Sequence, residues 1–548
     1  MSFYNPETKI WSSDDRPSIY NPKASLGEVL LHSLRRTPNK ICEISDDFEV
    51  TLTCADIMKR SIQVAESLKT DYGLKFGDVC SIVAKNNPEV SSVAFGCIFN
   101  GCPVNAMDPA FAQIDFDHMI ELTKPKVVFV EMNVVEKIQI SIEKLKLDTK
   151  IFCFTDIEGR TSAGITPVNN FFKKTLEFKI EDYLPARIDD TTKHTAVIIC
   201  SSGTTGLSKG VCLSHAQVVS QTLRFWKVYE EDKIFAFSSL YWITGVTVLL
   251  MGTVEGAIRI NTTKPFTPQN FFEIVQRNKV SVLFLPPSLA AMALESTEID
   301  KADLSSIVRC YVGGSFVLED LCVSFEKYLA KGAKVMSVYG MSEIGTGCTV
   351  NYARKSGSVG GLQCENKIKI ISEDGKLLGP NEKGEICKSH PYPFLGYFGN
   401  EEATKELYDK DGWIRSGDLG YFDEEGFLYI SGRKKELIKY KNYQISPETL
   451  ETLIQEITGL SQVCAVAIEE NRLGTDLPAA VIVLPKDFSM TQKEIIAILN
   501  EKLDEVKKLR GGVYFVEKFP MTPSGKIVRR IVKELANKLY SERNTQSG

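Results

Sequence analysis

The ten residues Ser201-Ser202-Gly203-Thr204-Thr205-Gly206-Leu207-Ser208-Lys209-Gly210 concentrate groups suited to holding phosphate. Glycines at 203 and 206 let the backbone approach phosphate oxygens. Hydroxyls and backbone N–H groups donate, and Lys209 adds a mobile positive charge. The apolar run Val197-Ile198-Ile199-Cys200 comes just before, so the stretch reads as a loop leaving a buried strand. It predicts a triphosphate-gripping loop. The P-loop is excluded, because that motif needs Ser or Thr after its lysine and Gly210 follows Lys209.

Five further segments carry matching chemistry. Tyr339-Gly340-Met341-Ser342-Glu343 joins an aromatic ring, a hydroxyl and a carboxylate able to ligate a hard cation. Gly313-Gly314-Ser315 offers a backbone turn against which a planar base can lie, although any Gly-Gly turn looks the same. Ser416-Gly417-Asp418 presents a carboxylate that can take two hydroxyl donors at once. The run Gly432-Arg433-Lys434-Lys435-Glu436-Leu437-Ile438-Lys439-Tyr440-Lys441-Asn442-Tyr443-Gln444-Ile445 is rich in cations, and Pro523-Ser524-Gly525-Lys526 ends in another lysine.

In their order along the chain the motifs resemble the adenylate-forming enzymes, a family that includes acyl-CoA synthetases, 4-coumarate–CoA ligases, beetle luciferases and peptide-synthetase adenylation domains. The resemblance implies an AMP-forming acid–thiol ligase: ATP activates a carboxylic acid as acyl-AMP, and CoA then takes the acyl group. It assigns Ser201, Ser202, Gly203, Thr204, Thr205, Gly206 and Lys209 to the phosphates. Gly313, Gly314, Ser315, Tyr339 and Gly340 fall to adenine, and Ser342 to the α-phosphate or substrate carboxylate. Glu343 falls to Mg²⁺, Asp418 to ribose and Arg433 to ribose or phosphate. Lys526 would serve adenylation and Lys439 thioester formation, with rotation about a hinge at Gly432 between the two.

The chain also departs from that pattern. Trp242 stands where many relatives have a histidine, and an indole can neither be protonated nor accept a hydrogen bond. It reads either as a gate on an apolar acyl tunnel or as a core tryptophan. Thr244, Gly345 and Thr346 are further lining candidates. Asn442 replaces a glycine near the incoming thiol, and Ser208 replaces a common proline. The expected acid is a fatty acid or another apolar carboxylate. Luciferase-like oxygenation and a non-catalytic nucleotide- or acyl-binding relative are the alternatives.

These residues must be held by a scaffold, and the rest of the sequence describes one. Ser25 to Glu28 reads as a capping box opening a helix. Val79 to Ala84, Val104 onward, Lys126 to Val130 and Val280 to Leu285 read as strands alternating with helices. That alternation predicts an α/β fold with mostly parallel sheets covered by helices. Residues 1–431 are expected to form a large ATP- and acyl-binding domain. Residues 432–548 are expected to form a small mobile α+β lid with strands at Val463 to Ile468, Ala479 to Leu484 and Val513 to Val516. A net charge of -5 and a pI near 5.8 argue against a nucleic-acid partner. Fourteen scattered cysteines without Cys-x-x-Cys predict reduced thiols. The apolar run from Ile243 to Met251 is too short to span a bilayer. The ending Gln546-Ser547-Gly548 is not a Ser-Lys-Leu address, so the expected location is cytoplasmic, with peroxisome as the alternative. The same ending predicts no fused carrier domain and hence a diffusible acceptor.

Overall fold

Ser25 caps the helix Leu26–Arg36 through the reciprocal Ser25–Glu28 box that its sequence announces. The N–H of Leu26, one of the donors a helix start leaves unpaired, goes to Nδ1 of His215 at 3.2 Å. The computed structural model describes the chain except residues 1, 14–19, 22, 202–207, 221–225, 364, 393, 435, 441–442, 471–474, 486–487, 489, 504, 522–525 and 546–548. The side chains of 346, 444, 470, 544 and 545 are also outside the description.

The large domain is built on three sheets. One runs parallel through Ile41–Ser45, Ile258–Asn261, Lys233–Phe235, Val282–Leu285, Arg309–Gly313 and Lys334–Met341. The second runs parallel through Thr166–Pro167, Lys150–Cys153, Val127–Val130, Cys80–Val83, Val104–Met107 and Thr195–Ser201. Most residues of these strands are buried, as in helix-covered parallel strands, and the buried Arg259 pairs with Glu43 on the neighbouring strand. The helix Val90–Phe99 is buried at every residue, so it lies in the interior.

The third sheet differs from the parallel expectation. It is antiparallel through Phe3–Asn5, Ile10–Ser12, Lys367–Ile371, Gly384–Ser389, Ile414–Phe422 and Leu428–Arg433. Strands 355 or more residues apart in sequence pair here, and no local pattern announces such a partner. The helix Val90–Phe99 follows Asn87-Pro88, and Asn87 Oδ1 accepts the Glu89 N–H at 2.9 Å just before it begins.

The small domain has its own buried cluster, from Ile438 to Ala536. Val463–Glu470 pairs antiparallel with Thr475–Val483, which pairs parallel with Gly512–Val516. Helices Pro447–Thr458, Gln492–Lys502 and Arg529–Thr545 accompany them. Arg529 ties the last helix to Pro447–Thr458 by pairing with Glu448 and Glu451, and also pairs with Glu436. Ser461 and Gln462 both donate to the Glu295 carboxylate, linking this domain to the large one. All thirteen described cysteines are buried and unpaired, filling core positions as small apolar residues. Among the described residues no helix is long and apolar enough to cross a membrane.

Candidate functional site

The phosphate-loop sequence closes a β-hairpin. Thr195–Ser201 pairs antiparallel with Lys209–Ser214, and Ser201 lies opposite Lys209. Ser202, Gly203, Thr204, Thr205 and Gly206 lie outside the described residues, but both ends of their loop are anchored. The Ser208 carbonyl meets Nε2 of His118 at 2.9 Å. The ammonium of Lys209 sits 4.7 Å from the ring centroid of Tyr397, and the Tyr397 hydroxyl donates to Oε1 of Glu343 at 2.8 Å. Lys209 and Glu343 thus share one tyrosine. Gln217 Nε2 donates to the Glu343 carbonyl at 3.0 Å and steadies the turn Ser342–Ile344 that carries it. Neither Tyr397 nor Gln217 is flagged by the sequence, because each reaches Glu343 only across the fold.

A second cluster forms at the junction of the first and third sheets. The Tyr339 hydroxyl donates to Oδ2 of Asp418 at 2.6 Å, and Nε of Arg433 lies 3.2 Å from Oδ1. Asp418 and Arg433 are register partners on adjacent strands, so the antiparallel sheet itself makes their pairing. Burial, aided by the Asp418 charge, pushes the Tyr339 phenol well above its usual value and keeps it a donor. Asp418 is buried, and its backbone N–H donates to Ser416 Oγ at 3.0 Å across a bend made by Gly417 at φ +70. Gly313 admits no side chain, since a Cβ there would fall 2.3 Å from Val338 Cγ2. Gly314 has φ +95, a conformation suited to glycine, and is exposed along with Ser315.

Lys526 reaches this cluster from the small domain. Its Nζ lies 5.4 Å from the Trp242 ring centroid, and its Cε would be 3.1 Å from a Cβ on Gly314. The bare Gly314 turn is therefore the slot the lysine enters. Burial, and then the Arg433 charge, lower the Lys526 pKa to about 8. Trp242 is half-buried at the start of the helix Ile243–Glu255 and stacks edge-on against Tyr241 at 4.6 Å. It packs partly buried against a core cluster and has the Lys526 ammonium over its ring.

Other candidates are spread around these. Thr244 lies in the first turn of that helix, and Gly245 beside it cannot bear a Cβ, which would meet Ser239 O at 2.0 Å. Gly340 pairs with Gly347, and Ser342 accepts the Gly345 N–H at 2.9 Å with Gly345 at φ +81. The Thr346 side chain is outside the description. Lys439 is not brought to the cluster. It is exposed on the hairpin of Ile438–Tyr440 with Tyr443–Ile445, its backbone held by Asp476 and Thr475. Asn442 lies outside the described residues.

Residues 30–398 match the family model described as AMP-binding enzyme, and residues 449–526 match that of the AMP-binding enzyme C-terminal domain. The chain belongs to the adenylate-forming, AMP-binding enzyme family. It is 32% identical over 537 residues to a probable 4-coumarate–CoA ligase of Dictyostelium discoideum, covering 94% of this chain and 96% of that one. It is 30% identical over 535 residues to the luciferin 4-monooxygenase of Photinus pyralis, covering 93% and 94%. ATP-bound MatB from Rhodopseudomonas palustris shares the fold with a TM-score of 0.82 at 22% identity, over 94% of this chain and all of that one. Within this family the chain is an enzyme of the AMP-forming acid–thiol ligase class. ATP is the nucleotide such enzymes consume.

Proposed function

We propose that the protein converts an apolar carboxylic acid, a fatty acid or another apolar carboxylate, into its acyl-adenylate and then into a CoA thioester. The observation that carries the reading is the arrival of Lys526 at Trp242 and Gly314, beside Tyr339, Asp418 and Arg433. The relatives named as CoA ligases support it. In this reading Tyr339 and the Gly313–Gly314 turn flank adenine, Asp418 takes the ribose hydroxyls, and Lys209 with Ser201 holds the departing phosphates. Trp242 and Thr244 face the acyl chain.

In the first half-reaction a carboxylate oxygen bonds to the α-phosphorus while the bond to the bridging oxygen breaks and pyrophosphate leaves. Two anions must meet, so the Lys526 ammonium aligns the carboxylate and offsets its charge. Glu343 suits Mg²⁺: one carboxylate oxygen accepts from Tyr397 and leaves the other for a hard cation. An ion held by Glu343 would neutralise phosphate charge. In the second half-reaction the CoA sulfur bonds to the acyl carbon and the bond to AMP breaks. Lys439 serves that step after the small domain, residues 432–548, turns about Gly432.

Pyrophosphate release with ATP and Mg²⁺, across acids of graded length and with or without CoA, tests this. One acid class should drive release and give a CoA thioester by mass spectrometry. Release without thioester would sink the ligase half, and silence across the panel with ATP bound would favour a non-catalytic relative.

A further inference from the structure

We propose that Lys388 is a nucleotide-positioning residue that presets the plane of Tyr339 before the base arrives. The inference rests on the adenosine reading of Tyr339 and Asp418 above. Lys388 lies on the strand Gly384–Ser389 and is 1% exposed, among the largest fully buried side chains of the molecule. Among the described residues its Nζ has no nitrogen or oxygen hydrogen-bond partner, and it sits 3.9 Å from the centroid of the Tyr339 ring. Beside it is the Cys348 thiol, which burial pushes up and the Lys388 charge pulls back.

A lysine is almost never fully buried without a partner, and stripping water from its amine is costly. An apolar side chain would fill the same space without that cost, as its apolar neighbours on the strand do. What an ammonium adds here is its field on the tyrosine. The π face of Tyr339 receives the cation, and its hydroxyl is bound to Asp418, so the ring is held at both a face and an edge. Fixing the ring in advance removes an ordering cost from nucleotide binding. A cation on one face also draws π density toward itself, leaving the other face less negative toward an electron-rich purine.

The test compares Lys388→Met and Lys388→Arg, alone and in a Tyr339→Leu background. Equilibrium dialysis with ATP, pyrophosphate-exchange KM values for ATP and acid, and thermal melting are the readouts. Lys388→Met should weaken ATP by about tenfold, the scale of a desolvated cation–π contact. The acid KM should stay put and melting should not fall. Lys388→Arg should keep most ATP affinity, and in the Tyr339→Leu background the Met effect should vanish. Unchanged ATP affinity, equal loss in both backgrounds, or equal loss for Arg and Met overturns the inference while leaving the adenosine reading intact. Full ATP affinity in Tyr339→Leu alone overturns that reading and the inference with it.

Discussion

In the proposed reading Lys526 aligns the carboxylate for adenylation, and its charge is the point. Its pKa is lowered to about 8, so the protonated form that aligns the carboxylate is lost as pH rises through that value. Initial rates of pyrophosphate exchange should therefore fall above pH 8, and Lys526→Arg should move that limb upward. A limb unmoved by the arginine would assign the titration to another group. Lys526→Ala should suppress acyl-adenylate formation yet spare the reaction of supplied acyl-adenylate with CoA. An equal loss in both steps would contradict the division between Lys526 and Lys439. At Asp418, loss of charge removes the acceptor shared by Tyr339 and Arg433. Asp418→Asn should weaken ATP by about 1.5–3 kcal/mol, the range of hydrogen bonds to charged groups. An unaltered ATP KM would remove Asp418 from the nucleotide site.

At the scale of elements, the first helix and the hairpin that carries Lys209 are tied through His215. Burial holds this histidine neutral, lowering its pKa to about 3, and its Nδ1 accepts the N–H that opens Leu26–Arg36. Because the folded pKa lies below the unfolded one, the unfolded chain binds the extra proton first as pH falls below 6.5. Stability is then lost from pH 6.5 toward 3, by about 2 kcal/mol between 6.5 and 5 for this group. Urea denaturation at pH 7 and pH 5 should show that loss in the native protein and a smaller one in His215→Gln. Equal losses would mean that the histidine is not the titrating group.

For the whole molecule, the arrangement seen here places Lys526 at Trp242 and Gly314 and Lys439 away from them, and Gly432 lies in the last strand of the third sheet, opposite Leu419, shortly before the small-domain core begins at Ile438. Gly432 has φ +132, and a Cβ there would fall 2.5 Å from Ser446 Oγ. Gly432→Ala should penalise this arrangement by about 1–3 kcal/mol of backbone strain. Pyrophosphate exchange should drop, while thioester formation from supplied acyl-adenylate should hold. If both half-reactions kept their rates, rotation about this residue would not separate them.

The capping box at Ser25, the strands at Cys80–Val83 and Val463–Glu470, and the order of the phosphate, aromatic–acid and lysine motifs are all written locally. Each depends on neighbours a few residues apart, where periodicity and turn chemistry act directly. The antiparallel third sheet is not written that way, and neither are the partners it delivers. Arg433 meets Asp418 only through strand register, Tyr397 joins Glu343 to Lys209 only because its strand pairs with Lys209–Ser214, and Lys388 lies beneath Tyr339 only because two sheets meet there. Residue types and their spacing determined what chemistry the chain carries. Which side chains share a charge, and which lysine stands at the site, was decided by long-range pairing and burial, which sequence neighbours do not encode.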